Sequence, residues 1–174
     1  MKESVKMDVM QAIRERRSVR QYQSRLVEEE ILMEIMEAAR LAPSGHNRQN
    51  WRFILVRDRG QISSLAAAAG QSFINTAPAV IAGVSLDPDH MMRCEVPAYA
   101  VDVAIAMTNI SLAAVAKGLG TCWIGSFSQD QVQKALGVPQ KYKVVELMTL
   151  GYPANGKGRT GRKPLQEIIS YDRF

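Results

Sequence analysis

The hydrophobic pattern divides the chain into helical stripes and short unbroken apolar runs. Between Glu28 and Ala42, the residues Ile31, Leu32, Ile35, Met36, Ala39 and Ala42 recur at the helical period. Glu28, Glu29 and Glu30 stand at the start of this stripe, where the helix dipole favours negative charge, and Pro43 ends it. An earlier stretch, Val5 to Arg17, predicts a first helix with Val9 and Ile13 on one side, flanked by Met10 and Arg17. Four apolar runs then read as buried strands: "WRFILVRD" from Trp51, "PAVIAGVSL" from Pro78, "CWIGSF" from Cys122 to Phe127, and "KVVELMTLGYP" from Lys143 to Pro153. Helices are predicted between them over Gln61–Ala69, Pro97–Lys117 and Gln129–Leu136. Gly118 and Gly137 close the last two, and Asp87-Pro88 marks a turn.

Helices alternating with short buried strands predict an α+β or α/β domain whose sheet is covered on both faces. The helix from Pro97 is apolar on most of its faces, so it needs cover on every side, and a partner subunit is expected to supply part of it. Asp102, Asn109 and Ser111 interrupt the apolar run Ala98 to Ala116. A core helix is therefore expected there rather than a membrane span. No repeat, low-complexity tract or linker divides the sequence, and its 174 residues are expected to form one domain over 1–174.

Charge sharpens this picture through its distribution. The formal net charge is +5. Residues 1–20 hold six basic side chains against three acidic ones, and residues 155–174 hold five against two. Positive charge thus sits at the two ends of the chain. They form one anion site if the fold brings them together and two basic tips if it does not. Cys94 and Cys122 form no CxxC and no export segment is evident, so free thiols and a cytoplasmic location are expected. His46 and His90 are the only histidines, and no metal-ligand spacing or nucleophile motif accompanies them. A nucleic-acid surface would need aromatics interleaved with the basic residues. Aromatics are 6% of the chain, and the basic ends hold only Tyr22, Tyr171 and Phe174, so no nucleic-acid partner is expected.

Two stretches carry candidate chemistry. In "RERRSVRQY", Arg16, Arg17 and Arg20 fall where the first helix gives way to coil. Guanidinium forks suit phosphate, yet cations also favour a solvated helix C-terminus, and the stretch alone leaves both readings open. "PSGHNRQNW" joins a helix to a strand and places Ser44, Asn47, Gln49 and Asn50 between Pro43 and Trp51. Its amides could read a heterocycle, or it could be an ordinary polar loop. "GLGTCWIG" follows a helix and precedes a strand, the wrong order for a dinucleotide-binding turn.

Taken in series, "RRSVR", "LAPSGHNRQNW", "GLGTCWIGSF" and "LGYPANGKGRTGRKPLQEII" follow one order at spacings that resemble the FMN-dependent nitroreductase family over essentially the whole chain. The resemblance implies an α+β fold: a three-layer αβα sandwich with a mostly antiparallel central sheet, in an intertwined homodimer with FMN at the subunit interface. By position, Arg16, Arg17, Ser18 and Arg20 resemble the segment that binds the flavin. Arg162 and Lys163 resemble its second phosphate ligand. Pro43, Ser44, Gly45 and Asn47 resemble the loop that reaches the flavin of the other subunit. Gln71 resembles an amide that meets the ring. Ile124, Gly125 and Ser126 resemble the strand end facing flavin N5. The implied activity is NADH- or NADPH-dependent reduction of nitroaromatic, quinone or similar small-molecule acceptors by a ping-pong hydride mechanism. The flavin carries the chemistry and no side chain is catalytic. A silent flavin sensor, a dehalogenase or a flavin-destroying variant are the alternatives. Asn50 departs from the proline common after the loop glutamine, and His46 fills a variable position that could line a substrate channel.

Overall fold

A computed structural model describes residues 7–155 and 161–174. Among these residues five α-helices and four β-strands form in chain order. They are α1 (Val9–Glu15), α2 (Glu29–Arg40), β1 (Trp51–Val56), α3 (Arg59–Ala69), β2 (Ala79–Ser85), α4 (Ala98–Ala116), β3 (Gly120–Ile124), α5 (Gln129–Leu136) and β4 (Lys143–Gly151). The four strands make one antiparallel sheet in the order β1-β2-β4-β3. Every residue of β2 is buried, as a central strand with both faces covered requires.

The two faces carry separate cores. Leu32, Ile35 and Ala39 of α2 join Val103, Met107 and Ile110 of α4 against Ile81, Met148 and Leu150 of the sheet. On the other side Ile62 and Leu65 of α3 and Val132 of α5 pack on Val80, Ala82 and Leu147. This is the expected three-layer sandwich, and the alternation along β2 and β4 assigns neighbouring residues to opposite layers. Close approach of α4 to the sheet rests on Gly83, where a Cβ would stand 2.7 Å from Val103 Cγ1.

Element ends follow local chemistry. Asp8 accepts a hydrogen bond from the Gln11 amide at 2.8 Å and starts α1, and Asp58 does the same for α3 through Gln61. Gly70 and Gly137 adopt left-handed conformations at the ends of α3 and α5. The first helix ends at Glu15, earlier than the predicted Arg17, because Arg16 already has extended torsions (φ −58°, ψ 128°). From there the chain runs along the sheet instead. Ser18 bridges Thr121, the Val19 amide donates to the Thr121 carbonyl at 2.8 Å, and Tyr22 bridges Pro153. β3 also differs from expectation. It begins at Gly120 and stops at Ile124, because Gly120 and Thr121 pair with Gly151 and Leu150 whereas Gly125 onward leaves the ladder.

The Ala98–Ala116 helix is long and apolar enough to cross a membrane by length and composition. Here it lies between α2 and the sheet. Only 39% of its most apolar window is buried within the protomer. α1 packs on α4 through the buried Ala12 and leaves Val9, Met10 and Ile13 exposed beside it.

Candidate functional site

The β3 edge of the sheet carries three of the segments singled out in the sequence. The first is Arg16–Tyr22, pinned to the starts of β3 and the tail of β4. Its anchor is Tyr22, whose hydroxyl donates to the Val19 carbonyl at 2.7 Å and shares a 2.6 Å hydrogen bond with Thr149 Oγ1. Burial pushes the Tyr22 phenol well above its ordinary range, so it stays a neutral donor. Gly120 lets the segment lie this close, since a Cβ there would overlap Val19 and stand 2.8 Å from Val19 Cβ.

The second and third segments meet beside it. Gln71 follows the left-handed cap Gly70 and donates its backbone N–H to the Ala66 carbonyl at 3.0 Å. Just past Ile124, the Ser128 amide donates to the Ala68 carbonyl at 2.9 Å, holding Gly125 and Ser126 against the end of α3. Arg20 closes the group with its guanidinium 5.9 Å over the Phe73 ring. A side chain at Gly125 would meet nothing within 4 Å, so this edge is open.

Arg16, Arg17 and Arg20 form no ion pair among the described residues. The four ion pairs among the described residues all involve other side chains. Arg17 Nη2 donates to the Asn155 carbonyl at 3.2 Å, which joins the first basic cluster to the chain leaving β4. Arg162 and Lys163 follow in the exposed tail, where Arg162 Nη1 donates to the Gly161 carbonyl at 3.0 Å. Lys157 and Arg159 lie outside the described residues.

Pro43, Ser44, Gly45 and Asn47 are elsewhere. Their loop enters β1 at Trp51, which pairs with Ser85, itself paired with Lys143 of β4. Thr121, beneath Ser18, pairs with Leu150 of β4. Lys143 to Leu150 spans about 23 Å at about 3.3 Å per residue, and β1 and β3 are three strand spacings apart, about 14 Å. Trp51 and Thr121 are therefore roughly 25 Å apart. Within one protomer the loop cannot join the arginine site.

The loop is nonetheless tightly built. His46, Asn47 and Gln49 have φ of 51°, 55° and 53°. Left-handed torsions cost about 1–2 kcal/mol for residues other than glycine. Ser44 holds them by accepting the Gln49 amide on Oγ at 3.0 Å and the Asn47 amide on its carbonyl at 2.9 Å. Asp102 of α4 accepts the Gly45 amide at 3.0 Å. Asp102 was visible in the sequence only as an acid interrupting an apolar helix, and this contact is its structural reason. Loop and α4 together wall a cavity of about 340 Å³ that His46 lines, with Arg48, His90, Arg93 and Tyr99. Sequence reasoning missed the last four, because they come from three separate segments without a shared spacing.

Comparison with known proteins bears on the fold and the family. The family model described as "Nitroreductase family" matches residues 13–81 and 64–152. A protein of Archaeoglobus fulgidus, provisionally described as an NADH dehydrogenase/NAD(P)H nitroreductase, is 36% identical over 156 residues, covering 86% of this chain and 88% of its own. Among solved structures, an FMN-dependent nitroreductase from Clostridium difficile R20291 superposes with a TM-score of 0.82 at 28% identity, over 94% of this chain and 98% of that one. The NADPH:FMN oxidoreductase of Vibrio harveyi, complexed with NAD+, gives 0.86 at 26% identity, over 95% and 77%. The chain belongs to the nitroreductase family.

Proposed function

We propose that the protein is an FMN-dependent oxidoreductase that takes electrons from NADH or NADPH and passes them to a small electron-poor acceptor such as a nitroaromatic or a quinone. The observation that carries this reading is the gathering of Arg16, Arg17 and Arg20, without acidic partners among the described residues, beside Gln71 and the open strand end Ile124–Ser126. A dianionic phosphate suits the arginines, and an amide side chain beside an open strand end suits the edge of a flavin ring. Bound FMN would supply two-electron chemistry at N5, which is why no side chain need be catalytic.

The residues then divide by task. Arg16, Arg17, Ser18 and Arg20 hold the phosphate and the pyrimidine edge, with Arg162 and Lys163 completing the phosphate site. Positive charge from Arg17 or Arg20 favours the negative charge that reduction leaves on the cofactor. Gln71, Ile124, Gly125 and Ser126 orient the ring. Donor and acceptor use the same open face in turn, which gives ping-pong kinetics.

The loop Pro43–Asn47 serves a second copy of the chain. The separation of roughly 25 Å, worked from strand geometry, supports this reading. So does the unfinished burial of α4 and α1, with Val9 70% and Met10 53% exposed. Leu165, Ile168 and Phe174 of the tail are exposed as well, and a homodimer gives all of these cover. Anaerobic titration with NADH and NADPH tests the activity. Loss of the flavin's visible absorbance with at least one of them is expected, and return of the absorbance on adding a quinone. A flavin that neither nucleotide reduces would make the protein a sensor rather than an enzyme.

A further inference from the structure

The cavity between the loop and α4 lies away from the arginine site of its own protomer and is not explained by phosphate binding there. Its lining is of two kinds. Tyr99, Met91 and Met92 supply a soft, flat apolar wall. Arg48 and Arg93 supply two guanidinium groups, and neither forms an ion pair among the described residues. The two acids in the lining, Asp87 and Asp102, each spend one oxygen on a neutral amide. Asp102 accepts the Gly45 amide at 3.0 Å, and Asp87 accepts from Asn50 Nδ2 at 3.3 Å. Neither forms an ion pair with Arg48 or Arg93 among the described residues.

Arg48 is also aimed. Its Nη1 lies 3.1 Å from His90 Nε2. A guanidinium can only donate, so Nε2 is the acceptor and the His90 proton sits on Nδ1. That contact ties Arg48 to the segment carrying Met91 and Met92 while using one of its five N–H donors. The strained torsions of His46, Asn47 and Gln49 surround Arg48 in sequence, and such strain collects where a site over-determines the backbone. Asn50 contributes the side-chain amide that donates to Asp87.

We infer that this cavity binds an aromatic ligand through an oxyanion, held by Arg48 and Arg93 with the ring against Tyr99 and the two methionines. The inference rests on the flavin reading for its biological sense, because the loop that walls the cavity is the one assigned to the second copy's flavin. The oxyanion has two sources among the substrates: a carboxylate on an acceptor, or the 2′-phosphate that distinguishes NADPH from NADH.

Calorimetric binding to the purified holoprotein tests it, with 4-nitrobenzoate against nitrobenzene and the unreactive oxidised pair NADP+ against NAD+, in the native protein and in Arg48→Gln and Arg93→Gln. The readout is the ratio of affinities within each pair, which cancels general damage to the fold. The native protein is expected to prefer the anionic member of one pair, and each substitution to cut that preference about five- to tenfold, the worth of one charge-assisted contact. A fall in the nitrobenzoate ratio assigns the cavity to an anionic acceptor, and a fall in the NADP+ ratio assigns it to the donor's 2′-phosphate. Ratios unchanged by both substitutions, or no preference in the native protein, would overturn the inference. Calorimetry does not require turnover, so arginine-dependent binding of 4-nitrobenzoate by protein that holds no flavin would sink the flavin reading and keep this one. A flavoprotein indifferent to both substitutions would do the reverse.

Discussion

Glu146 is the residue least suited to its surroundings, and it offers a stability test with a worked sign. It lies on β4 opposite Gly83, on the face covered by α4. It is 6% exposed, and its Oε1 has no hydrogen-bond partner. Burial pushes its carboxyl up to about 8. In the unfolded chain a glutamate titrates near ~4.3. Between these values the folded protein holds a proton that the unfolded chain has released, so stability falls as pH rises. The slope is about 1.36 kcal/mol per pH unit, or about 2.7 kcal/mol between roughly pH 5.5 and 7.5. Full stability from this group is present below the unfolded value, and the loss levels off above about 8. Glu146→Gln removes the titration and keeps the size. Urea unfolding at fixed protein concentration should therefore give a native-minus-variant difference that drifts against the native protein by about 2–3 kcal/mol across that window. Parallel pH profiles would show that Glu146 is ionised in the fold, which the absence of a partner would then not allow us to explain.

Three further outcomes test how the arginine segment is held and what it does. Gly120→Ala should force Val19 off the sheet, cost about 1–3 kcal/mol as overpacking, and weaken FMN retention in equilibrium dialysis; unchanged retention would mean that the segment's seat on β3 does not position the site. Tyr22→Phe removes the hydroxyl shared by Val19 and Thr149 and should lower unfolding free energy by about 1–2 kcal/mol, and a neutral result would contradict that role. Arg20→Ala and Arg162→Ala should each weaken FMN binding. The native affinity should fall with added salt because exposed phosphate contacts are screened, and equal affinities in native and variant proteins would misplace the phosphate.

Much of this was legible in the sequence, for identifiable reasons. Helical stripes and buried runs located all nine elements, since the pattern of α2, the unbroken apolarity of most of β2 and the mostly apolar run of β4 report burial directly. Boundaries failed where the backbone chose pairing over propensity. Arg16 and Arg17 look helical, but extended torsions let Ser18 and Val19 join Thr121. Gly120 and Thr121 look like a turn, yet they open β3 because Gly151 and Leu150 lie opposite. The incomplete cover predicted for α4 appears as half-exposed apolar surface shared with α1. Residues of the cavity beside α4 were illegible because Arg48, His90 and Tyr99 meet only through the strained loop and the turn before α4. Glu146 gave no signal either, since one acid in "VVELMTL" reads as a solvent-facing strand position until β4 proves to be central.

The central claim is that the basic segment, Gln71 and the β3 end together hold FMN. Purified protein should be yellow, and denaturation should release one FMN per chain, identified by chromatography of the supernatant. Colourless protein that also fails to take up added FMN would contradict the account.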